Sequence, residues 1–385
     1  MERIKIAIVA GEASGDLLGS HLVAALRERL PQAEFVGIGG PKMIAAGVVS
    51  WFPLEKLSVR GYVEAIKSLP SILSIRRRLK CKLREWQPQL FIGVDAPDFN
   101  LGLERYLRRR GVATVHFASP SIWAWRGGRI HKIKRAVDHM LVLFPFEKPI
   151  YDQACIAATY VGHPLADTIP LETDLIVARD QLKLAHDAKF VALLPGSRQS
   201  ELKLHADLFI QTALRLQALM PEVQFLAPLA TKETRQLFEA ALYRNNAQDL
   251  RLTILFGHAQ AAMAAADCVL VASGTATLEA ALLKRPMVIT YRVPKLTAII
   301  MRAQRYLPYV GLPNILAGRF VVPEFLQDQA TPDNLAQAVQ HWLEDKPARE
   351  ALREAFQSMH LALRQNTAQR ATDAIIGLLH ARGQR

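Results

Sequence analysis

The chain has 385 residues, of which half are hydrophobic, and carries 48 lysines and arginines against 35 aspartates and glutamates, a formal net charge of +13. This balance excludes a disordered or fibrous protein. At roughly 150 residues per domain, the length predicts about two domains. The three cysteines, Cys81, Cys155 and Cys268, form no Cys-x-x-Cys motif. Their spacing therefore argues against a zinc site and against a disulfide framework.

The positive charge is concentrated in the first half. Residues 51–150 contain 19 basic and 8 acidic side chains, a net charge of 19 − 8 = +11. Such asymmetry predicts a polyanionic partner, either nucleic acid or an anionic membrane surface. No aromatic side chain is interleaved with the basic residues between Arg76 and Arg84, although RNA binding favours such interleaving. We also expect no signal peptide and no transmembrane segment, because the apolar runs are too short or carry charges.

Short hydrophobic runs recur along the first half and alternate with helical patterns. Continuous apolar runs are typical of parallel strands that are buried on both faces. The sequence therefore predicts a doubly wound α/β domain. The predicted strands are 4–10, 34–38, 90–94, 113–117, 140–144 and 159–161, with helices over 18–29 and 101–110.

A second series of the same kind begins after a weakly periodic stretch at 168–174. Its strands are predicted at 190–194, 223–228, 252–256, 268–272 and 287–290, and its helices at 207–219, 231–243 and 277–283. We therefore expect two Rossmann-like domains, 1–167 and 168–330, followed by two or three C-terminal helices over 331–385. Two such domains are expected to hold a ligand in the cleft between them, at the carboxyl ends of their strands.

Three polar loops follow predicted strands of the first domain. Gly11-Glu-Ala-Ser-Gly-Asp16 opens a helix, either as an anion site or as a turn capped by Ser14 or Asp16. Asp95 and Asp98 follow the third strand, and either can serve as a general base, although Asp98 also suits a helix N-cap. The segment Ser119-Pro-Ser-Ile-Trp-Ala-Trp-Arg126 places two tryptophans in a strand-end loop, where they either pack the domain or form a ligand wall.

Two loops of the second domain suit a nucleotide diphosphate. The residues Gly196, Ser197 and Arg198 follow its first strand, and their amides and guanidinium form a predicted anion cradle. The residues Ser273, Gly274 and Thr275 open a later helix in the same way. One helical turn beyond Thr275, Glu279 lies on the same face and can accept hydrogen bonds from ribose hydroxyls.

The sequence contains no Asp-x-Asp pair and no His-Glu-x-x-His motif, so we predict no metal and no cofactor. Without a metal, Arg198 and helix N-termini would have to stabilise the leaving group.

Six motifs in order resemble the lipid-A-disaccharide synthase family. They are Gly11–Asp16, Gly93-Val-Asp-Ala-Pro-Asp-Phe-Asn100, Ser119–Arg126, Leu194-Pro-Gly-Ser-Arg198, Ser273–Thr275 and Leu312-Pro-Asn-Ile-Leu-Ala-Gly318. The resemblance spans residues 4 to about 320. It implies an inverting glycosyltransferase of the two-Rossmann, or GT-B, class. The implied reaction transfers 2,3-diacylglucosamine from UDP to the 6-hydroxyl of 2,3-diacylglucosamine 1-phosphate, giving a β-1,6-linked disaccharide 1-phosphate.

The resemblance also assigns roles to these loops. Asp98 is the candidate base and Asp95 its rival, while Asn314 joins the donor site with the two phosphate loops and Glu279. Ser14 is expected at the reacting centre or on the acceptor side, which the rest of its loop, Gly11, Glu12, Gly15 and Asp16, would also face.

Both implied substrates are acylated, which implies a peripheral protein on the cytoplasmic side of the inner membrane. An apolar and basic stretch of the first domain then becomes the expected docking face, although a core-facing amphipathic helix is the alternative. The docking residues are Tyr62, Ile66, Leu69, Ile72, Leu73, Arg76, Arg77 and Arg78. Some family members form homodimers by exchanging the C-terminal part, and one sequence does not decide this for the present chain.

Two rival functions remain at this point. One is another two-Rossmann UDP-sugar enzyme, such as a 2-epimerase or a glycosyltransferase with a soluble acceptor, which would need no basic amphipathic segment. The other is a basic RNA-binding protein without catalysis, whose affinity for RNA would fall with salt.

Overall fold

A computed structural model of the chain describes residues 4–57, 62–124, 127–294, 298 and 306–383, without the side chains of 62–68. The chain divides into two compact units. Unit 1 comprises Met1–Asp167 and Leu363–Arg385, and unit 2 comprises Thr168–Ala362. A parallel sheet flanked by helices forms each unit, and the C-terminal end is helical. The predicted α/β fold class is thereby confirmed.

The described residues of unit 1 form seven parallel strands in the order β3-β2-β1-β4-β5-β6-β7. The central strands β1, β4 and β5 are almost completely buried, as their unbroken apolar sequences require. The strands are β1 (Lys5–Ala10), β2 (Glu34–Ile38), β3 (Val49–Ser50), β4 (Leu90–Val94), β5 (Ala113–Phe117), β6 (His139–Val142) and β7 (Ala158–Tyr160).

The helices of the first part of the chain connect these strands. They are α1 (Ala13–Arg29), α2 (Pro41–Ala45), α3 (Tyr62–Trp86), α4 (Pro97–Arg108), α5 (Ile130–Lys134), α6 (Glu147–Gln153) and α7 (Pro164–Thr168). Short 3-10 helices cover Leu54–Lys56 and Gly127–Arg129.

In unit 2, the part of the chain that the structure describes contains six parallel strands in the order β10-β9-β8-β11-β12-β13. They are β8 (Phe190–Leu194), β9 (Gln224–Leu229), β10 (Leu252–Phe256), β11 (Cys268–Ala272), β12 (Met287–Tyr291) and β13 (Glu324–Leu326). The connecting helices are α8 (Leu175–Gln181), α9 (Gln199–Leu219), α10 (Lys232–Arg244), α11 (Ala259–Ala265), α12 (Thr275–Leu282) and α13 (Leu312–Ala317), and a 3-10 helix covers Gln327–Gln329.

The eleven predicted strands all coincide with observed strands. The two strands that the prediction missed, β3 and β13, are only two and three residues long, too short to carry a hydrophobic pattern. Two of the predicted helices in unit 1 begin too late: α1 begins at Ala13 rather than Leu18, and α4 at Pro97 rather than Leu101. Each of these helices starts directly after its strand, in polar loop residues that have no apolar periodicity.

The C-terminal helices are divided between the units. The helices α14 (Pro332–Glu344) and α15 (Lys346–Leu363) belong almost wholly to unit 2, whereas α16 (Thr367–Gly383) belongs to unit 1. The Asp167 carboxylate accepts hydrogen bonds from the amides of Asn366 and Thr367 at 2.9 and 2.7 Å, which anchors the start of α16. The segment 331–385 is therefore not one structural piece.

Within the described ranges, no helix is both long and apolar enough to cross a bilayer.

Candidate active site

The strand order reverses once in each sheet, between β1 and β4 in unit 1 and between β8 and β11 in unit 2. Ligands of open α/β sheets bind outside the carboxyl ends of the strands at such a reversal. In unit 1, β1 leads into Gly11–Asp16 and β4 leads into Asp95–Asp98. In unit 2, β8 leads into 195–198 and β11 leads into Ser273–Thr275. Each unit thus brings together the two loops that the sequence analysis singled out.

The two loops of unit 1 are in close contact at Gly11. A Cβ placed on Gly11 would lie 2.3 Å from the Cβ of Ala96, which is closer than atoms can approach. Gly15 packs more loosely, since a Cβ there would lie 3.3 Å from the Cβ of Ala10. Gly11 therefore acts through its lack of a side chain, which lets the first loop lie against the second.

Asp95 is held in an unusual backbone conformation at the end of β4. Asp95 and Ala96 both have positive φ angles, 51° and 45°, a region that costs non-glycine residues free energy. Two hydrogen bonds enforce it, because the Asp95 amide donates to the Phe117 carbonyl and the Asn100 Nδ2 donates to the Asp95 carbonyl, both at 2.8 Å. The half-buried carboxylate of Asp95 is thus presented from a rigid turn.

Asp98 lies in the first turn of α4 and has a different environment. The N-cap of α4 is Ala96, so the interpretation of Asp98 as the N-cap is wrong. Its side chain is 83% exposed and accepts a hydrogen bond from Nη2 of Arg129 at 2.7 Å. The sequence analysis did not select Arg129, which follows two glycines and lacks any motif of its own.

Asp16 requires a correction. Its side chain is buried, and its carboxylate accepts hydrogen bonds from the amides of Gly40, Lys42 and Met43 at 2.8, 3.1 and 3.0 Å. Asp16 therefore caps α2 and does not face an acceptor. Glu12 and Ser14 are exposed at the start of α1, where a ligand can reach them.

A pocket of about 270 Å³ opens beside these loops in unit 1. Loop residues that follow β4 and β5 form its wall, together with Arg129 from the 3-10 helix that precedes α5. The lining residues are Asp95, Pro97, Asp98, Ser119, Pro120, Ser121, Ile122 and Arg129. Both base candidates therefore face the same small, polar space.

The wall of this pocket is anchored by a buried acid. Nε1 of Trp123 donates to Oε1 of Glu147 at 3.1 Å, and Trp123 packs edge-on against Phe146. This favours the packing role for Trp123, whereas Trp125 and Arg126 lie outside the described residues. Burial raises the pKa of Glu147 to about 7, against the opposing effect of its hydrogen bonds from the Phe144 amide, Trp123 and Ser119.

A buried pair that the sequence analysis missed lies close to Asp95. Nδ1 of His116 and Oε1 of Glu104 are 2.6 Å apart, and both side chains are fully buried. Burial opposes protonation of His116, but the Glu104 carboxylate outweighs it and raises the pKa of His116. The sequence did contain a signal for a buried acid. Glu104 lies four residues after Asn100, which places both polar residues on the buried face of α4.

In unit 2, the loop after β8 differs from the predicted cradle. The Glu201 carboxylate accepts hydrogen bonds from the amides of Ser197 and Arg198 at 2.9 and 3.2 Å. Glu201 is the third residue of α9, so this is the return bond of a capping box. A Cβ on Gly196, whose φ is 126°, would lie only 2.6 Å from the Cβ of Glu201. The amides of Ser197 and Arg198, which were expected to bind phosphate, are therefore already occupied by the Glu201 carboxylate.

The loop after β11 is open to solvent at the start of α12. Gly274 and Thr275 are exposed at the start of α12, and a Cβ on Gly274 would meet no described atom within 4 Å. One turn further, burial raises the pKa of Glu279. Across the described part of the chain, no protein group donates a hydrogen bond to its carboxylate. An anion and a hydroxyl-bearing group can therefore both be accommodated here.

Asn314 is a positioning residue rather than a ligand contact. Its buried side chain donates to the Val322 carbonyl at 2.9 Å and to Glu324 at 2.8 Å, and it accepts from the amides of Val321 and Val322. These bonds use all four of its hydrogen-bonding positions. Glu324 in turn accepts from the amides of Val310 and Gly311.

This network fixes the segment beside the Ser273–Thr275 loop, because the Ser273 hydroxyl approaches the Val310 carbonyl at 3.4 Å.

The basic helix α3 carries two different faces. Ile75, Leu79 and Leu83 are buried, whereas Leu69 and Leu73 are 52% and 45% exposed.

Arg77 is also exposed and lies four residues beyond Leu73, on the same line of the helix. Among the described residues of the predicted docking face, Arg78 is exposed as well, whereas Ile72 and Arg76 are half-buried. The side chains of Tyr62 and Ile66 lie outside the described set.

No group of three or more histidine, cysteine or acidic side chains suited to a metal is found among the described residues.

Two doubly wound parallel sheets, each with polar loops at its strand reversal, define the two-Rossmann class of α/β proteins. Solved structures with this fold include a UDP-GlcNAc 2-epimerase from Neisseria meningitidis bound to UDP-GlcNAc, with a TM-score of 0.63, 12% identity, and coverage of 98% of this chain and 100% of that one. A glycosyltransferase of kitacinnamycin has a TM-score of 0.63 and 14% identity, with coverage of 98% and 100%. Identities this low show the fold alone.

The family follows from the sequence comparison. The family model described as lipid-A-disaccharide synthetase matches residues 6–376. A lipid-A-disaccharide synthase of Dechloromonas aromatica is 57% identical over 378 residues, which cover 98% of this chain and 99% of the relative. The chain belongs to the lipid-A-disaccharide synthase family, as its motifs predicted, and the 2-epimerase and RNA-binding alternatives are not favoured.

Proposed function

We propose a reaction and a set of residue roles for this glycosyltransferase of lipid A disaccharide synthesis. UDP-2,3-diacylglucosamine donates its sugar to the 6-hydroxyl of 2,3-diacylglucosamine 1-phosphate, and the products are the β-1,6-linked disaccharide 1-phosphate and UDP. The observation that carries the proposal is the pairing of motif loops at the strand reversal of each sheet, in a chain that matches the family from residue 6 to residue 376.

Unit 2 is the proposed donor half. The Arg198 guanidinium and the first amides of α12, beside Ser273 and Thr275, would bind the diphosphate. Glu279 would accept hydrogen bonds from the ribose. The half-buried position of Glu279 and the open space above Gly274 support this assignment. Asn314 would keep the neighbouring segment in position without touching the nucleotide.

Unit 1 is the proposed acceptor half, in which Glu12 and Ser14 would border the acceptor. Inversion at the anomeric carbon needs one displacement, so a base must accept the proton of the attacking hydroxyl. Asp95 and Asp98 both line the pocket, but the Asp98 carboxylate is already engaged by Arg129. The constrained turn at Asp95 is a further argument, because such conformations concentrate at active sites. We therefore favour Asp95 as the base.

The leaving UDP would be stabilised by protein groups. As the sugar–phosphate bond breaks, negative charge develops on the β-phosphate. Arg198 and the N-terminal amides of α12 would meet this charge, and the proposed mechanism includes no metal ion.

The acylated substrates place the enzyme at a membrane surface, in our proposal the cytoplasmic face of the inner membrane. Exposed Leu69 and Leu73 would enter the headgroup region, while Arg77 and Arg78 would contact anionic lipids. The outward orientation of both leucines supports docking over core packing.

A homodimer through the C-terminal part is also part of the proposal. Within one chain, α16 is anchored on unit 1 by Asp167, by an Arg29–Asp373 ion pair and by an Arg382–Asp138 ion pair. A partner's α16 could make the same contacts in exchange. Light scattering of the purified protein at several concentrations would detect such a dimer.

The test of the reaction is a coupled release assay. Purified protein in detergent receives both substrates in the presence of EDTA, and UDP and disaccharide are measured together. Equal release of both products supports the reaction and its independence of metal. Release of UDP without disaccharide would contradict the acceptor assignment, and failure to bind UDP would contradict the donor site.

A further inference from the structure

The pocket of unit 1 contains one guanidinium that the proposed mechanism does not use. Arg129 is the basic residue among the eight described residues that line this pocket. Its side chain is only 14% exposed, although its partner Asp98 is 83% exposed. In a structural ion pair both partners are usually buried to a similar degree. Here the cation is largely buried and its counterion is exposed to water, which argues against a purely structural role.

This asymmetry makes Asp98 easy to displace. Exposed ion pairs contribute little, because water hydrates the separated carboxylate well. Arg129, by contrast, is only 14% exposed, so its guanidinium stays beside the pocket when Asp98 turns away. The ion pair with Asp98 therefore orients the Arg129 guanidinium but can be exchanged for another anion.

The guanidinium has capacity for a stronger partner. Asp98 engages one of its nitrogens, Nη2, and no other hydrogen bond of this side chain is found within the described ranges. Arginine presents its donors as a planar fork that matches two oxygens of one phosphate group. Ser121, eight residues earlier on the same connection between β5 and α5, supplies an additional exposed hydroxyl to this pocket.

We infer that Arg129 binds the phosphate monoester of the acceptor and exchanges Asp98 for it when the acceptor enters. This inference rests on the proposed function, and it concerns which end of the acceptor the pocket recognises. The pocket volume of about 270 Å³ lies just below the usual range for ligand sites, about 300–1,000 Å³, which suits a sugar phosphate headgroup rather than acyl chains.

The assignment also separates the two aspartates. The phosphate and the 6-hydroxyl are attached to opposite ends of the sugar, on either side of the ring oxygen. A carboxylate that the phosphate displaces from this guanidinium lies at the phosphate end of the sugar and not beside the hydroxyl. Asp98 becomes the residue that the phosphate displaces, and Asp95 remains to accept the proton.

The test combines two proteins with two acceptors. Wild type and Arg129→Ala are assayed with 2,3-diacylglucosamine 1-phosphate and with the same lipid lacking the phosphate. Loss of a charge-assisted bidentate contact should raise the KM of the phosphorylated acceptor about 10- to 100-fold. The KM of the acceptor without phosphate should change less than about twofold between the two proteins, because that contact is already missing.

Two further variants serve as controls. Lys132→Ala removes an exposed positive charge from the neighbouring helix α5, and it should leave both KM values unchanged. Arg129→Lys keeps the charge but loses the fork, so its KM for the phosphorylated acceptor should lie between those of wild type and Arg129→Ala. Isothermal titration of UDP checks that unit 2 is intact in every variant.

Several outcomes would overturn the inference. Equal losses on both acceptors would show that Arg129 only supports the fold or Asp98. Reduced binding to phosphatidylglycerol vesicles with unchanged acceptor KM would show that Arg129 contacts lipid headgroups instead. The proposed function fails separately, namely if wild type forms no disaccharide from the phosphorylated acceptor.

Discussion

Gly11 and Ala96, one from each loop at the strand reversal of unit 1, pack so closely that a Cβ on Gly11 would lie 2.3 Å from that of Ala96. Ala96 is the neighbour of Asp95 and has a positive φ of 45°. The position of the favoured base therefore depends on a glycine in a different motif. The sequence suggested that Gly11 would contact the acceptor, and its contact with Ala96 gives it a mechanical role instead.

Gly11→Ala should move the Asp95 turn and lower kcat by about tenfold or more, since small displacements of a catalytic group are costly. UDP affinity should remain unchanged because unit 2 is untouched. Ala96→Gly removes the opposing Cβ and suits a positive φ, so the double variant Gly11→Ala/Ala96→Gly should recover part of kcat. Steady-state kinetics of all four proteins measures this coupling. Strictly additive effects would contradict the packing argument.

Asp95→Asn and Asp98→Asn should separate the two base candidates. Loss of the base lowers kcat by about 10²- to 10⁴-fold, and we expect this loss for Asp95→Asn. Asp98→Asn releases Arg129, so its main effect should be on the KM of the acceptor. Calorimetric UDP binding and thermal unfolding show whether either variant has lost its fold. A larger loss of kcat in Asp98→Asn would return the role of base to Asp98.

Glu279→Gln should weaken UDP binding by about 10- to 100-fold, because hydrogen bonds from ribose hydroxyls to a charged acceptor are lost. The same change should affect 2′,3′-dideoxy-UDP less than about twofold, since that analogue has no ribose hydroxyls to donate. Titration calorimetry with both ligands checks this. Glu354→Gln, an exposed acid on α15, provides a control. If both ligands weaken equally, Glu279 does not contact the ribose.

Glu147 and His163 contact the same residue and titrate in opposite senses. The Phe144 amide donates to Glu147, and the Phe144 ring stacks on His163 at a centroid distance of 5.7 Å. Burial raises the pKa of Glu147 from 4.5 to about 7 and lowers the pKa of His163 from 6.5 to about 4. Glu147 thus stabilises the fold at low pH and loses this contribution as the pH rises to 7. His163 loses its contribution as the pH falls from 6.5 to 4.

Each contribution amounts to about 3 kcal/mol in full. Between pH 4.5 and 6.5 one contribution falls with pH while the other rises, so the pH dependence of the wild-type free energy of unfolding nearly cancels. Glu147→Gln should leave the effect of His163, so the free energy of unfolding should rise with pH in this window. His163→Asn should leave the effect of Glu147, so the free energy should fall. Urea denaturation at pH 5, 6 and 7 measures both slopes. Slopes equal to that of wild type in both variants would contradict the assigned burial effects.

Leu69→Ser/Leu73→Ser should reduce binding to phosphatidylglycerol vesicles by about tenfold or more, because two exposed apolar side chains would no longer enter the headgroup region. Activity on micellar substrates should change less. Vesicle sedimentation measures the binding. Leu361→Ser is the matched control, since Leu361 is as exposed as Leu69, at 52% each, but lies on α15. Equal losses in the control would remove the evidence for a docking face on α3.

The sequence alone determined eleven of the thirteen described strands, the fold class and the family. Unbroken apolar runs such as Leu90–Val94 are buried on both faces in this fold. Such burial requires continuous apolar sequence, so these strands can be recognised from the sequence directly. The motif loops could be recognised because they directly follow these strands. Their grouping also followed from sequence, since the carboxyl ends of parallel strands share one edge of a sheet.

Only the tertiary structure decided what individual polar side chains do. Asp16, Asn314 and the amides of Ser197 and Arg198 looked like ligand contacts, but each is engaged by protein groups. Arg129 had no motif and became significant through its contact with Asp98, 31 residues earlier. The reason is physical: a polar group binds whichever partner folding brings within about 3 Å, and sequence spacing does not record distances between residues far apart in the chain.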